Sequence, residues 1–518
     1  MSDAPALLRL PFPADDERDS IDSMLSHLSV VSSPNLEAEQ YYDGSWTATQ
    51  FGISIPPSMR GLATVAGWAG TVVDVLEERL DWLGWSSDGD DFGLDEVYAA
   101  NGLDVDGGQA HIDALIYGVS FVTVGAGMDG EPSPLVTPQS PKTMTGWWDS
   151  RMRRLSEALS AQFELGQAVT VTLYRPNETI YCSRRNGAWV VDERDRHRLG
   201  RVPVVAVPNR ARASRQIGRS EISRAVRYYA DAAARTLLGL EVNREFYNAP
   251  QRVGLNVDDS MFEDPSGAKV SPWTSIQGRI WNIPPNGDGE PEPKVMQFDP
   301  ASPAPYIDQV KGYATLLAAE AGIPPAYLGF QTDNPASADA IRAGEARLVK
   351  RAERRQTSFS RSWLEVGRLA LLIRDGEVPD GYDLSVSTRW RDAATPTRAA
   401  AADEAAKLIG AGVLPPNSPV TYDRVGLSPA EQRQVAADLR RVDGRGVLDT
   451  LRETASQLVT TEDAAAVKQK ADAMGVLIRS GVDPIDAAEA VGFTGLKFTG
   501  AVPVSLRLPQ QDATQLED

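Results

Sequence analysis

Apolar positions along this chain recur at two periods, and the switch between them divides it. Ile222, Val226, Tyr229, Ala233, Leu237 and Leu240 fall at three- and four-residue steps. That spacing predicts one helix of about 30 residues, about 45 Å long, over 218–249, with Pro250 as its stop. A second helix is expected from about Pro303 to Ala321, and a third, about 55 Å long, from about Ala338 to Ile373. Residues 16–50 also read as helical, with Pro34 just inside a start capped by Ser32 and Ser33, and Gly44 near the end. The block Trp68–Trp85 predicts a helix running into a strand, followed by an acidic turn at 88–93 and helical patterns up to Gly118.

From 117 to 209 the period changes to two. YGVSFVTV, VTVTLY, ETIYCS, AWVVD and RVPVVAVPN are β-branched and aromatic runs separated by Gly, Pro and Asn, the pattern of an antiparallel meander. Short strands recur in the Pro/Gly-rich stretch 250–302 (RVGLNV, SIQGRIWNI, KVMQFD) and in YDLSVSTRW at 382–390. The fold class expected is therefore α+β: a mixed domain, then two helices bracketing a small β-rich insert, then a long helix. Beyond 396 the chain is Ala-rich and helical. KLIGAGV with RVGL there is echoed by VLIRSGV with AVGF, as expected of paired helical hairpins.

Composition narrows the function. With 42% hydrophobic and 24% charged residues, the 518-residue chain can bury large cores, which excludes a disordered protein. Its net charge of −19 argues against a sequence-reading DNA binder coated in Lys and Arg. No apolar run approaches the roughly 20 residues of a membrane-spanning helix, so no membrane association is expected. The lone Cys182 cannot form an intramolecular disulfide.

Catalytic motifs are scarce. Gly125–Gly130 (GAGMDG) matches the G-x-G-x-x-G phosphate cradle and follows a strand, but EPSPLV comes next, where the mechanism needs a helix N-terminus. A hairpin turn is the expected reading; a nucleotide-binding enzyme is the alternative it would support. SDGDDFG at 87–93 lacks the closing Glu of a calcium loop. His27, His111 and His197 lie far apart, so no metal site is expected, and Cys182 and His111 read as packed rather than reactive residues. The informative basic feature is IRAGEARLVKRAERR at 341–355. Arg342, Arg347, Lys350 and Arg351 on that helix form either a solvated, salt-bridged face or contacts to neighbouring subunits or DNA phosphates.

Several segments, in their order, resemble the portal proteins of tailed double-stranded DNA phages, especially siphophages of actinobacteria. They include YYDG (41–44), GISIPP (52–57), TVVDVLEERLD (71–81), GRSEISRAVRYYADAAARTLLGLEVNREFYNAPQR (218–252), SPAPYIDQV (302–310), the run 321–356 and DPIDAAEAVGFTGLKFTGAVPVSLRLP (483–509). The resemblance implies a non-enzymatic structural protein with no cofactor. It would form a homo-oligomeric ring, usually a dodecamer, at one capsid vertex of the virion, assembled in the host cytoplasm. Residues 1–215 with the return at 376–395 would be a wing, 218–249 and 303–321 the stem, and 250–302 a clip. Residues 322–337 would be a tunnel loop, 338–375 a long wing helix, and 396–518 a helical crown and tail. The expected partners are duplex DNA passing through the channel, the terminase large subunit, capsid and scaffold proteins, and head–tail adaptor proteins. In the tunnel loop, Gln331, Thr332, Asp333 and Asn334 would approach the DNA. Twelve helices about 10–12 Å across, set side by side, leave a bore of nearly 30 Å, about enough for a duplex. Another capsid or connector protein is the structural alternative.

Overall fold

The computed structural model describes residues 12–47, 64–87, 91–248, 252–256, 291–299, 301–330, 338–394, 398–428, 431–441 and 464–496. The chain divides into two compact units, Met1–Thr395 and Pro396–Asp518.

The first unit opens with helix α1, Asp15–Tyr42, whose start is tied by the Glu17 carboxylate accepting from the Ala14 amide at 2.8 Å. Pro34 does not begin a helix, as the Ser-Pro signal suggests; it lies inside α1. An interior proline costs about 3 kcal/mol, which is offset because α1 is anchored on both sides of it. Ile21, Met24 and Leu28 pack against a five-stranded sheet, while Ala38 and Tyr41 enter the main core.

That five-stranded sheet is an antiparallel meander of β4 (Met144–Asp149), β5 (Arg154–Glu164), β6 (Gln167–Tyr174), β7 (Glu178–Arg185) and β8 (Ala188–Arg196) in sequence order. Strand β2 (Val119–Gly125) does not join it, contrary to the single meander expected. It sits between β3 (Leu135–Gln139) and β9 (Val204–Pro208), with Phe121 opposite Ala206 and Val124 opposite Val136. Both faces of β2 are covered, Val122 and Val124 by the main core and Val119 and Phe121 by a second cluster with Met144 and Leu155. A strand buried on two sides takes the middle of a sheet.

The main core gathers α2 (Trp68–Glu77), β1 (Trp82–Ser87), α3 (Leu94–Ala100), α4 (Leu103–Tyr117) and β2 around one long helix, named α7 below. Two further helices, α5 (Arg224–Asn248) and α6 (Ala304–Ala321), pack together. Val310, Ala314, Leu317, Ala318 and Ala321 of α6 are buried, as are Val226, Ala230, Ala233 and Leu238 of α5. The α5 helix is shorter at its start than its pattern suggests, because Gly218–Ser223 forms a tight approach instead. Between α5 and α6, β10 (Arg252–Leu255) pairs antiparallel with β11 (Lys294–Gln297). The expected strand SIQGRIWNI lies outside the described residues.

Helix α7, Ala338–Asp375, runs 38 residues, about 57 Å. Leu348, Ala352, Phe359, Trp363, Val366 and Leu369 make its buried stripe, whereas nearly every described residue from Ala340 to Arg347 is exposed. Its helical start therefore projects beyond the core. Trp363 stacks on Trp82 at 3.8 Å, and the Trp85 indole donates to the Trp363 carbonyl at 2.9 Å. The return strand β12 (Val386–Trp390) then pairs with β1, Trp82 opposite Trp390.

The second unit bears out the internal echo at the level of single hydrogen bonds. Helix α8 (Arg398–Gly410) leads to the short α9 (Pro419–Val425), and α10 (Ala464–Arg479) leads to the short α11 (Pro484–Ala490). Val413 donates to the Leu408 carbonyl as Val482 does to Leu477, and Leu427 to Tyr422 as Phe493 does to Ala488. Each short helix begins with a proline behind a capping side chain, Ser418 or Asp483.

Candidate functional site

The joint between the α5/α6 pair and the rest of the first unit is built on buried charge. Glu221 precedes α5 by three residues and its side chain has no solvent exposure. Its carboxylate meets the Arg355 and Arg351 guanidiniums, each at 2.5 Å, and Arg210 at 3.3 Å. Asn209 completes the knot: its amide donates to Glu221 at 3.1 Å, and its carbonyl oxygen accepts from Arg355 Nε at 3.2 Å. Burial would raise the Glu221 carboxyl, yet Arg355, Arg351 and Arg210 together hold it below the ordinary carboxylate range. The backbone is interlocked at the same place. Gly218 has φ +75°, and a Cβ there would stand 2.2 Å from the Asn209 carbonyl oxygen and 2.4 Å from that of Gly118. The Glu221 amide also donates to the Leu115 carbonyl at 2.9 Å. One acid thus binds together α4, the end of β9, the approach to α5 and the middle of α7.

This geometry places the basic residues singled out on α7. Arg351 is committed to Glu221 and only 15% exposed. Arg347 donates to the Ala319 carbonyl at the end of α6 at 2.7 Å. Lys350 is exposed and pairs with Glu353 at 2.7 Å, and Arg342 lies on the exposed start of the helix. The four residues therefore do not form one face. Gln331, Thr332, Asp333 and Asn334 lie outside the described residues, between Phe330 and α7. Before them, Pro325–Leu328 forms a single 3-10 turn; Tyr327 donates to Glu345 at 2.6 Å and accepts from Arg79 at 3.1 Å, tying the loop's entry to α7.

A second basic feature escapes the periodicity reading. Residues 210–227 hold six arginines (210, 212, 215, 219, 224 and 227) and one acid, Glu221, in a chain of net charge −19. Glu221 takes Arg210, and Arg227 pairs with Glu37 of α1 at 2.5 Å. Arg215, Arg219 and Arg224, with Arg227, line a groove of 920 Å³ between α1 and the loop 215–224.

The remaining motifs are structural. GAGMDG turns β2 back into β3, with Gly125 opposite Leu135, and no helix follows it, so no dipole or row of amides is offered to a phosphate. His111 is fully buried, stacked on Phe359, and accepts from the Trp363 indole at 2.9 Å; burial pushes its imidazole down to about 3, so it is neutral. Cys182 is buried in β7, where burial pushes its thiol up to about 11. Among the described residues, no group of three or more His, Cys, Asp or Glu side chains could hold a metal ion. No described helix is long and apolar enough to cross a membrane.

Known proteins resemble this chain in sequence over most of its length. Phage portal protein, SPP1 Gp6-like, is the family whose profile matches residues 35–418. The portal protein of Mycobacterium phage D29 is 34% identical over 452 residues, covering 83% of this chain and 90% of the relative. That of Mycobacterium phage L5 is 34% identical over 411 residues, covering 76% and 83%. A chain from the neck of an empty GTA particle aligns with 15% identity and a TM-score of 0.41, over 75% of this chain and 97% of the other. The profile reaches from the second half of α1 to the residue before α9, and so takes in the buried knot, the α5/α6 pair and α7. On that match, and on the two relatives aligned over most of its length, this chain belongs to the SPP1 Gp6-like family of phage portal proteins.

Proposed function

We propose that copies of this chain close into a ring at one vertex of a phage capsid and that the ring is the conduit for the duplex genome. The observation that carries this is the α5/α6 pair. The two helices pack on each other within one chain, but Tyr228 and Tyr247 on α5 and Ile307 and Leu316 on α6 are each about half exposed. Large apolar side chains left open on a long helix pair are what a neighbouring copy would cover. The net charge of −19 fits a passage that must let DNA slide, since few Lys/Arg–phosphate contacts means weak, non-arresting binding.

Within that ring the two helices would be the stem, the β10/β11 insert the clip that seats the terminase large subunit, and the first 215 residues with β12 the wing facing capsid and scaffold proteins. Gln331 to Asn334 would face the DNA, and Arg342 on the projecting start of α7 and the exposed Lys350 further along it would meet its phosphates. Head–tail adaptor proteins would bind after packaging. The protein would work without catalysis or cofactor, in the virion, after assembly in the host cytoplasm.

Light scattering with negative-stain microscopy of the purified protein tests the ring. Annular particles of several subunits are expected; a strictly monomeric species under assembly conditions would contradict it. Shortening 327–334 should leave ring formation intact and impair DNA packaging, and unchanged packaging would refute the loop assignment.

A further inference from the structure

The arginine-rich groove has an apolar floor that includes Phe121, Trp148 and Ile217, and Arg215 and Arg224 on its rim are exposed. Neither makes a side-chain ion pair among the described residues. Nearby, burial together with the like charges of Arg210 and Arg212 holds Arg219 below the usual arginine range, so the cluster repels itself. A duplex would bring phosphates but nothing for the sunken apolar floor, so the occupant expected is an acidic protein surface.

The same chain carries such a surface. On α1, Asp15, Asp19 and Asp22 are spaced by four and three residues, so they share one face, and all three are exposed. Ile21, Met24 and Leu28 bury the opposite side of that helix. Acids in a first turn are explained by the helix dipole, but Asp19 and Asp22 lie beyond it. Among the described residues neither has an ion-pair partner, whereas Asp16 and Glu17 are taken by Arg175 and Arg194. Just before this face, Phe12 is 59% exposed, an apolar side chain beside the acids.

Within one copy the two surfaces are not paired: no ion pair among the described residues joins Asp19 or Asp22 to these arginines, and Arg227, beside the groove, meets Glu37, 15 residues beyond Asp22 and about 22 Å along the same helix. We propose that the Asp15–Asp19–Asp22 face of one copy docks on the Arg215/Arg224 groove of the next, with Phe12 toward its apolar floor. Such a contact joins two different patches of one chain, the head-to-tail type that closes into rings. It also supplies local attraction between subunits whose net charges repel. The inference rests on the ring reading above and goes beyond it by naming the charged contact between neighbours.

Two variants test it: Asp19→Lys/Asp22→Lys, which leaves the first turn of α1 untouched, and Arg215→Glu/Arg224→Glu. Circular dichroism reports that each folds, and native mass spectrometry at low salt reports assembly. Each variant alone should lose the ring, because like charges then face each other at every contact. A 1:1 mixture should regain it with equal numbers of both variants, since Lys then meets Glu and Asp meets Arg alternately around an even ring. If both variants assemble alone as the unmodified protein does, the contact is refuted while the ring stands, and another protein owns the groove. Folded variants that stay apart when mixed also refute it. A monomeric unmodified protein overturns the ring reading itself.

Discussion

Replacing Glu221 by Gln would show what the buried knot is worth. The substitution keeps the side chain's shape but leaves Arg351 and Arg355, only 15% and 9% exposed, facing an amide. Removing one partner of a buried ion pair costs about 3–5 kcal/mol, mostly from the charge left behind. The unit Met1–Thr395 should unfold with an entropy of about 0.8 kcal/mol/K, at about 2.1 cal/mol/K per residue, so its melting temperature should fall by about 4–6 °C. Scanning calorimetry across pH carries the test further. The folded state holds this carboxyl below its ordinary value of 4.5, so its ionised form stabilises the fold above that value. That contribution disappears as pH falls through the lower folded value. The gap between unmodified protein and variant should stay flat from about pH 8 to 5 and narrow below about 4.5. In a cycle with Arg355→Met, the second change should cost less once Glu221 is gone. A melting shift under about 1 °C, or strict additivity in the cycle, would refute the argument that this cluster clamps α5 to α7.

The other predictions concern single positions. Gly218→Ala should cost more than about 3 kcal/mol, because its Cβ would overlap two carbonyl oxygens at a positive φ. Gly125→Ala, whose Cβ would meet nothing within 4 Å, should be near neutral in the same melting assay, and equal effects would contradict the reading of the joint. Glu77 is raised to about 7 by burial and by Asp81, Asp74 and Glu78, so its ionised form destabilises the fold above that pH and the penalty fades as pH falls toward 4.5. Glu77→Gln should therefore stabilise by about 1–3 kcal/mol at pH 8 and by almost nothing at pH 4.5; an effect independent of pH would count against it.

Periodicity served best where one face of an element is buried and the other is wet. The three long helices and strands β6 to β8 are legible for that reason, because their alternation records a single buried side. The pattern failed where that condition fails. In β5, Arg154–Glu164, the residues LSEALSA mix Ala, Ser and Glu in a way that carries no strand signal, yet the sheet is closed around it by β4 and β6. Strand β2 is apolar on both sides, so its alternation could not say which sheet it enters. Pro34 gave a helix-start signal that packing on both flanks of α1 overrode.

Charge was harder to read than hydrophobicity. Arg351 and Arg355 belong to a dense basic run that reads as a solvated face, although helical spacing puts Arg355 in line with Leu348, Ala352 and Phe359; their partner is 130 and 134 residues away in sequence. A lone Glu in RSEIS gives no local hint that it is the most enclosed acid of the joint. The six arginines over 210–227 stand in the bare sequence as an excess in a net acidic chain, but they are less dense than the basic run on α7 and follow no helical period. Helical spacing exposes a stripe; it does not say which residues another segment will cover.

Copies of this chain are expected to surround an aqueous passage wide enough for a DNA duplex. Electron cryo-microscopy of the purified protein measures this directly. It should show a closed ring with α5 and α6 around an axial opening, nearly 30 Å across if twelve subunits close it. A single copy, or an assembly whose centre is filled by those two helices, would contradict it.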